Sequence, residues 1–196
     1  MPRIQIGVMG SSGGDFVPGA EDKAYQLGRE IARSGAALLT GACPGLPHMA
    51  VRGCRDEDGM VVGISPALSL NEHVHRYHSP TEGFDVLMFT GSGLMGREIE
   101  AIRSCDIVVL VGGRSGTLGE FAIAYDEGRI IGVLRGTGGI ADHVDELVKI
   151  ADKETGASIL FEHDPVTLVR KCLHEYYRRH DSGAPLASEG HEGGAE

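Results

Sequence analysis

The run Ile107–Val111 is apolar at every position, mostly β-branched, and it stops abruptly at Gly112-Gly113. A strand with one wet face would alternate. A strand apolar throughout is buried on both faces, which is the condition inside a parallel sheet covered by helices on each side. The same form recurs at Ile4–Met9, Ala37–Thr40, Met60–Ser65, Val86–Thr90, Ile130–Leu134 and Ser158–Phe161. Helical segments separate these runs. Ala24, Leu27, Gly28, Ile31 and Ala32 make one apolar stripe, and Pro47–Arg55, Leu94–Ser104 and Asp142–Asp152 are further helices. Val166, Val169, Cys172, Leu173 and Tyr176 give the stripe of a last one. The alternation predicts an α/β chain: a Rossmann-like, doubly wound, open parallel sheet of about seven strands with helices on both faces. An eight-fold barrel needs more units than this. Open sheets bind ligands beyond the carboxyl ends of their strands, where the strand order reverses. In the usual 3-2-1-4-5-6 order the loops after the first and fourth strands meet there, with the fifth beside them.

The chain has 196 residues, and residues 1–180 are expected to form one nucleotide-binding domain. The remaining stretch, 181–196 (DSGAPLASEGHEGGAE), has no lysine or arginine and reads as a disordered acidic tail. A net charge of −10 argues against nucleic acid or an anionic membrane as a partner. Any phosphate site must then be built locally. No apolar tract is long enough to span a membrane, and the N-terminus enters a strand without a secretory pattern. Cys43, Cys54, Cys105 and Cys172 show no C-x-x-C and no metal spacing, so free thiols in a reducing cytoplasm are expected.

Four strand-end segments carry candidate chemistry. Gly10, Ser11 and Ser12 open the first loop, where glycines and hydroxyls suit a phosphate, although no G-K-[ST] follows. Thr40–Pro47 makes the second, with Gly41 and Gly45 as candidates and Cys43 read as a packing residue. In the third, Gly91–Arg97, an arginine expected in the first turn of a helix opposes the helix dipole, which suggests anion binding; pairing with a nearby acid is the plainer account. The fourth, Gly112, Gly113, Arg114, Ser115, Gly116 and Thr117, joins a strand to a helix, and free backbone N–H groups there make an anion site. Glu120 follows one turn later. Thr117-x-x-Glu120 also fits a capping box, which would explain Glu120 without chemistry. His73-x-His75-x-x-His78 looks like a surface loop, and no metal site is expected.

In combination, TGACPGLPHMAVRGCRDEDGMVVGISP, GLMGREIEAIRSCDIVVLVGG and GGRSGTLGE resemble the LOG (Lonely Guy) superfamily, many of whose members carry the label "possible lysine decarboxylase". The resemblance spans about residues 4–150. It implies a homodimer that binds a small phosphorylated ligand, a nucleoside 5′-monophosphate, and cleaves its N-glycosidic bond to give base and ribose 5-phosphate with no required cofactor. By motif position it places the catalytic arginine on Arg97 and the catalytic glutamate on Glu120. The chain departs from the pattern at Val111 for proline, Ala42 for glycine, Glu98 for lysine, and one extra residue between Gly113 and Gly116. That spacing looks more like the subgroup containing the molybdenum cofactor carrier proteins, which implies a non-catalytic carrier or sensor of a phosphorylated cofactor as the alternative. Pyridoxal phosphate chemistry needs a Schiff-base lysine, and Lys23, Lys149, Lys153 and Lys171 all fall on helices or their edges, which argues against decarboxylation.

Overall fold

The computed structural model describes residues 2–181. Seven strands, β1 (Gln5–Gly10), β2 (Ala37–Thr40), β3 (Val61–Ser65), β4 (Val86–Phe89), β5 (Ile107–Val111), β6 (Ile130–Leu134) and β7 (Ser158–Glu162), form one all-parallel sheet. Its helices are α1 (Ala20–Arg33), α2 (Leu46–Arg55), α3 (Leu70–His75), α4 (Gly93–Arg103), α5 (Ser115–Asp126), α6 (Val144–Ala151) and α7 (Pro165–Asp181). The fold is the expected doubly wound α/β sheet. The stretch expected as an acidic tail lies outside the described residues, apart from Asp181 at the end of α7.

The strand order is β4-β3-β2-β1-β5-β6-β7, which corrects the expected arrangement. β4 lies at the edge beyond β3, and β5 takes the central place beside β1, with Ile6 opposite Ile107 and Gly10 opposite Val111. The cause is legible in the side chains. Val86, Met88 and Phe89 of β4 remain exposed, whereas every residue of β5 is buried, and only a central strand is covered on both faces. The order therefore reverses between β1 and β5.

Two apolar layers flank the sheet. On one face Ala24, Leu27 and Ile31 of α1, Ala50 and Cys54 of α2, and Leu168 and Cys172 of α7 pack on Val8, Val109 and Val111. On the other, Ala101 and Ile102 of α4, Phe121 and Ala124 of α5, and Val144 of α6 pack on Met9, Leu39, Ile64, Val108 and Leu110. Each such residue, fully buried, contributes on the order of 2 kcal/mol. The connection from edge strand β4 to central β5 passes over β3, β2 and β1, and α4 lies on it against β3 and α5, which carries Arg97 inward from the edge.

Residues 70–75, expected within a surface loop, form α3, capped by the Ser69 hydroxyl, which accepts the Glu72 N–H at 3.3 Å. His73 is fully buried, with Nδ1 2.8 Å from Ser65 Oγ and Nε2 2.9 Å from the Pro80 carbonyl. A carbonyl only accepts, so Nε2 carries the proton and Nδ1 accepts from the serine hydroxyl. Both ring nitrogens are engaged, and His73 is a structural residue rather than a ligand. No helix among the described residues is long and apolar enough to cross a membrane.

Candidate functional site

The loops after β1, β2 and β5 converge on Ser11. Its N–H donates to the Val111 carbonyl at 3.2 Å, its carbonyl accepts the Leu46 N–H at 2.9 Å, and its Oγ accepts the Gly113 N–H at 2.7 Å. Such close approach needs glycine. A Cβ at Gly10 would lie 2.0 Å from the Val111 oxygen, and one at Gly45 would lie 2.3 Å from the Ser11 oxygen. Gly45 also has φ 80° and ψ −146°, a region barred to other residues. Ala42, which stands where the resembling family has glycine, keeps a left-handed backbone with φ 51°, and its N–H donates to Thr40 Oγ1 at 3.0 Å.

At the turn into α5 the amides divide into two groups. Gly112 N–H donates to Thr137 Oγ1 at 2.8 Å, and Gly113 N–H is held by Ser11. Those two are structural. Ser115, Gly116 and Thr117 open the helix, and their N–H groups have no partner within it, because the first intrahelical bond is Leu118 N–H to the Arg114 carbonyl at 2.9 Å. Free N–H groups at the positive end of a helix dipole are the groups from which anion sites are built. Arg114 is exposed and its guanidinium lies over Gly14 of the first loop, 3.6 Å from where a Cβ would stand. The capping box expected from Thr117 and Glu120 does not form. The N-cap is Arg114, with no side-chain cap bond, and Thr117 lies inside the first turn.

Behind this turn sits a buried charged cluster. Arg97 Nη1 is 3.4 Å from Glu120 Oε1, and both side chains are only 8% exposed. Arg97 lies one residue beyond the first turn of α4 and packs against Gly41, where a Cβ would fall 2.0 Å from Nη1. Its Nε has no hydrogen-bond partner. Glu98 is also buried, against Gly116 and Gly119, and its Oε2 is unpartnered. Burial raises the Glu120 carboxyl to about 7; the Arg97 cation and the Thr117 hydroxyl pull it down, while Glu98 pushes it up. Burial raises Glu98 as well, against the pull of Arg97. Cys43, half-buried beside this cluster, is pushed up to about 11 by burial, so it is a neutral thiol and no nucleophile.

The structure therefore brings Gly41, Arg97, Glu98, Thr117 and Glu120 together, with Ser115 and Gly116 at the lip. It places Gly10, Ser11, Gly45, Gly112 and Gly113 as the scaffold that shapes the lip. Ser12 is exposed on the first loop, with no side-chain contact tying it to the turn. The sequence reading passed over Thr137, although Arg135-Gly136-Thr137-Gly138-Gly139 directly after a buried strand is a turn signal of the kind used elsewhere in the chain. Lys23, expected on a helix, does sit on α1, but its ammonium reaches a strand end and donates to the Arg135 carbonyl at 2.7 Å.

Residues 3–169 match the SLOG cluster4 family. The chain belongs to that family. A protein of Archaeoglobus fulgidus, described as uncharacterised, is 30% identical over 135 residues, covering 69% of this chain and 82% of its own length. A molybdenum cofactor binding protein from the phototrophic bacterium Rippkaea orientalis superposes with a TM-score of 0.72 at 26% identity, over 88% of this chain and 99% of that one. The molybdenum cofactor carrier protein of Chlamydomonas reinhardtii does so with a TM-score of 0.71 at 25% identity, over 90% and 99%.

Proposed function

We propose that this SLOG cluster4 protein binds a small phosphorylated ligand at the β1–β5 switch point, with the phosphate on the Ser115–Thr117 amides and Arg114 closing over it. The observation that carries this reading is the division of amides. Gly112 and Gly113 are engaged by Thr137 and Ser11, while the Ser115, Gly116 and Thr117 N–H groups at the helix start have no partner within the helix. The ligand class is a nucleoside 5′-monophosphate or a phosphorylated cofactor of the molybdenum cofactor type, held as cargo. Likeness to a carrier and a binding protein of that cofactor supports the carrier role. So does the site: Arg97 and Glu120 face each other with 8% exposure, leaving the amides and Arg114 as the groups an incoming ligand meets first. This reading needs no resident cofactor.

One observation favours a second reading, N-glycosidic hydrolysis. Arg97 and Glu120, the positions that the LOG resemblance marks as catalytic, meet at 3.4 Å. A carboxylate there would stabilise oxocarbenium character as the base leaves. Incubation with AMP and GMP separates the two. Ribose 5-phosphate release supports the hydrolase, binding without product supports the carrier, and neither binding nor product removes both.

The resemblance also implies a homodimer. Val86, Met88 and Phe89 on edge strand β4, with Leu94, Met95 and Ile99 on α4, leave apolar side chains exposed along one border of the sheet. We assign the dimer contact to that border. Light scattering should give twice the chain mass, reduced to the chain mass by Met88→Lys; a wild-type monomer refutes the assignment.

A further inference from the structure

The buried cluster holds one more acid than it has cations. Arg97 is the cation facing Glu120, and two carboxyls press on it. Glu98 is 4% exposed and Glu120 6% exposed, so water does little to stabilise either charge. Glu98 packs against the glycine face of α5, 3.2 Å from a Cβ position at Gly116 and 2.9 Å from one at Gly119, and one of its oxygens has no donor. The other groups facing Glu120 bring no charge that would compensate. Thr117 on its own helix is a hydroxyl, and Cys43 after β2 and Cys105 after α4 are neutral thiols with raised values. An unpaired buried carboxylate is held only at high cost, and two close carboxyls titrate as a unit.

We propose that Glu98 and Glu120 together hold one proton against Arg97, and that binding a phosphorylated ligand on the α5 amides draws that proton from solvent onto the pair. This inference rests on the phosphate site proposed above. Gly116 and Glu120 are separated by four residues of helix, about 6 Å along the axis, so a phosphate dianion at the lip adds a like charge close to the pair. Like charge disfavours ionisation, and by linkage the protonated pair binds the dianion more tightly. Above neutral pH the pair loses its proton, the cluster becomes net negative, and the ligand is released. The device amounts to proton-coupled loading and unloading of the cleft.

The test is calorimetry with AMP from pH 7.5 to 8.5, where its phosphate is already dianionic, in buffers of different ionisation enthalpy. The wild-type protein should take up a fraction of a proton approaching one per AMP. Its Kd should weaken by a factor approaching ten per pH unit. Glu98→Gln, a neutral mimic of the protonated acid, should bind more tightly than wild type at pH 8.5 and show a flatter pH profile with less uptake. In the free protein, carboxyl-detected NMR should show the near-neutral titration of Glu120 moving to lower pH in the same variant, which a merely structural role for Glu98 would not produce. Binding without proton uptake overturns the inference and leaves the phosphate site standing. Uptake that persists unchanged in Glu98→Gln overturns the role of Glu98. No AMP binding at any pH overturns both.

Discussion

Gly41→Ala would probe the Arg97–Glu120 pair without deleting either charge. The backbone at Gly41 lies outside the left-handed region, so alanine adds no backbone strain there. The new methyl would fall 2.0 Å from Arg97 Nη1 and 2.6 Å from Cζ. Relief to an ordinary contact requires the guanidinium to withdraw by about 1.5 Å. Withdrawal away from Glu120 stretches the 3.4 Å separation to about 5 Å. At an effective dielectric of about 20 the attraction falls from about 4.9 to about 3.3 kcal/mol, a loss of about 1.6 kcal/mol or roughly one pKa unit. The Glu120 carboxyl, now at about 7, should then titrate about one unit higher. Carboxyl-detected NMR on glutamate-labelled protein measures this directly, and circular dichroism confirms that the sheet is intact. A Glu120 that titrates where the wild-type group does, or lower, refutes the claim that Gly41 sets the position of Arg97.

Three further outcomes are expected. Ser11→Ala removes the acceptor of the buried Gly113 N–H, which should cost about 1–3 kcal/mol and lower the melting temperature by several degrees without touching any charge. The Glu175 carboxyl is held at about 2, chiefly by Arg178. A depressed value contributes stability above about 4.3 that is lost as pH falls toward 2, so Glu175→Gln should flatten the acid limb of a urea-midpoint profile. Glu120 has the opposite sign, because its raised value contributes stability at low pH that is lost as pH rises through about 7. Glu120→Gln should therefore gain on wild type between pH 5 and pH 8; a constant difference across that range contradicts the burial argument.

The sequence carried the fold in its strands. Ile107–Val111 and Ile130–Leu134 are so uniformly apolar that only an interior parallel strand accommodates them, and their bounds in the structure are those expected. What it did not carry was strand order. Pairing of β5 with β1 joins residues about a hundred positions apart, and no local pattern records which buried strand neighbours which. Edge exposure of Met88 and Phe89 was the available hint, because it fits a border strand better than a central one. At the site, Arg97 and Glu120 were legible as residues. Their meeting was expected too, but from the wrong strand order: β4 lies at the edge, and it is the β4–α4–β5 connection passing over three strands that brings α4 against α5. The glycines divided in a way that sequence cannot foresee. Gly10 and Gly45 are required by neighbouring backbone, Gly41 by a guanidinium, and Gly116 and Gly119 by the buried Glu98 carboxyl. The capping-box pattern of Thr117 and Glu120 misled because the helix begins three residues earlier than that motif requires.

The central claim is that the Ser115–Thr117 amides hold a phosphate, and Ser115→Pro tests it most directly. Ser115 is exposed and is the first residue of α5, a position where proline is favoured because its N–H has no partner within the helix. The substitution deletes one N–H and leaves every charge in place. Calorimetry with AMP should show affinity reduced by roughly ten- to a hundredfold, the worth of one charge-assisted hydrogen bond, with the melting temperature unchanged. An unchanged Kd in a folded Ser115→Pro protein would contradict the account.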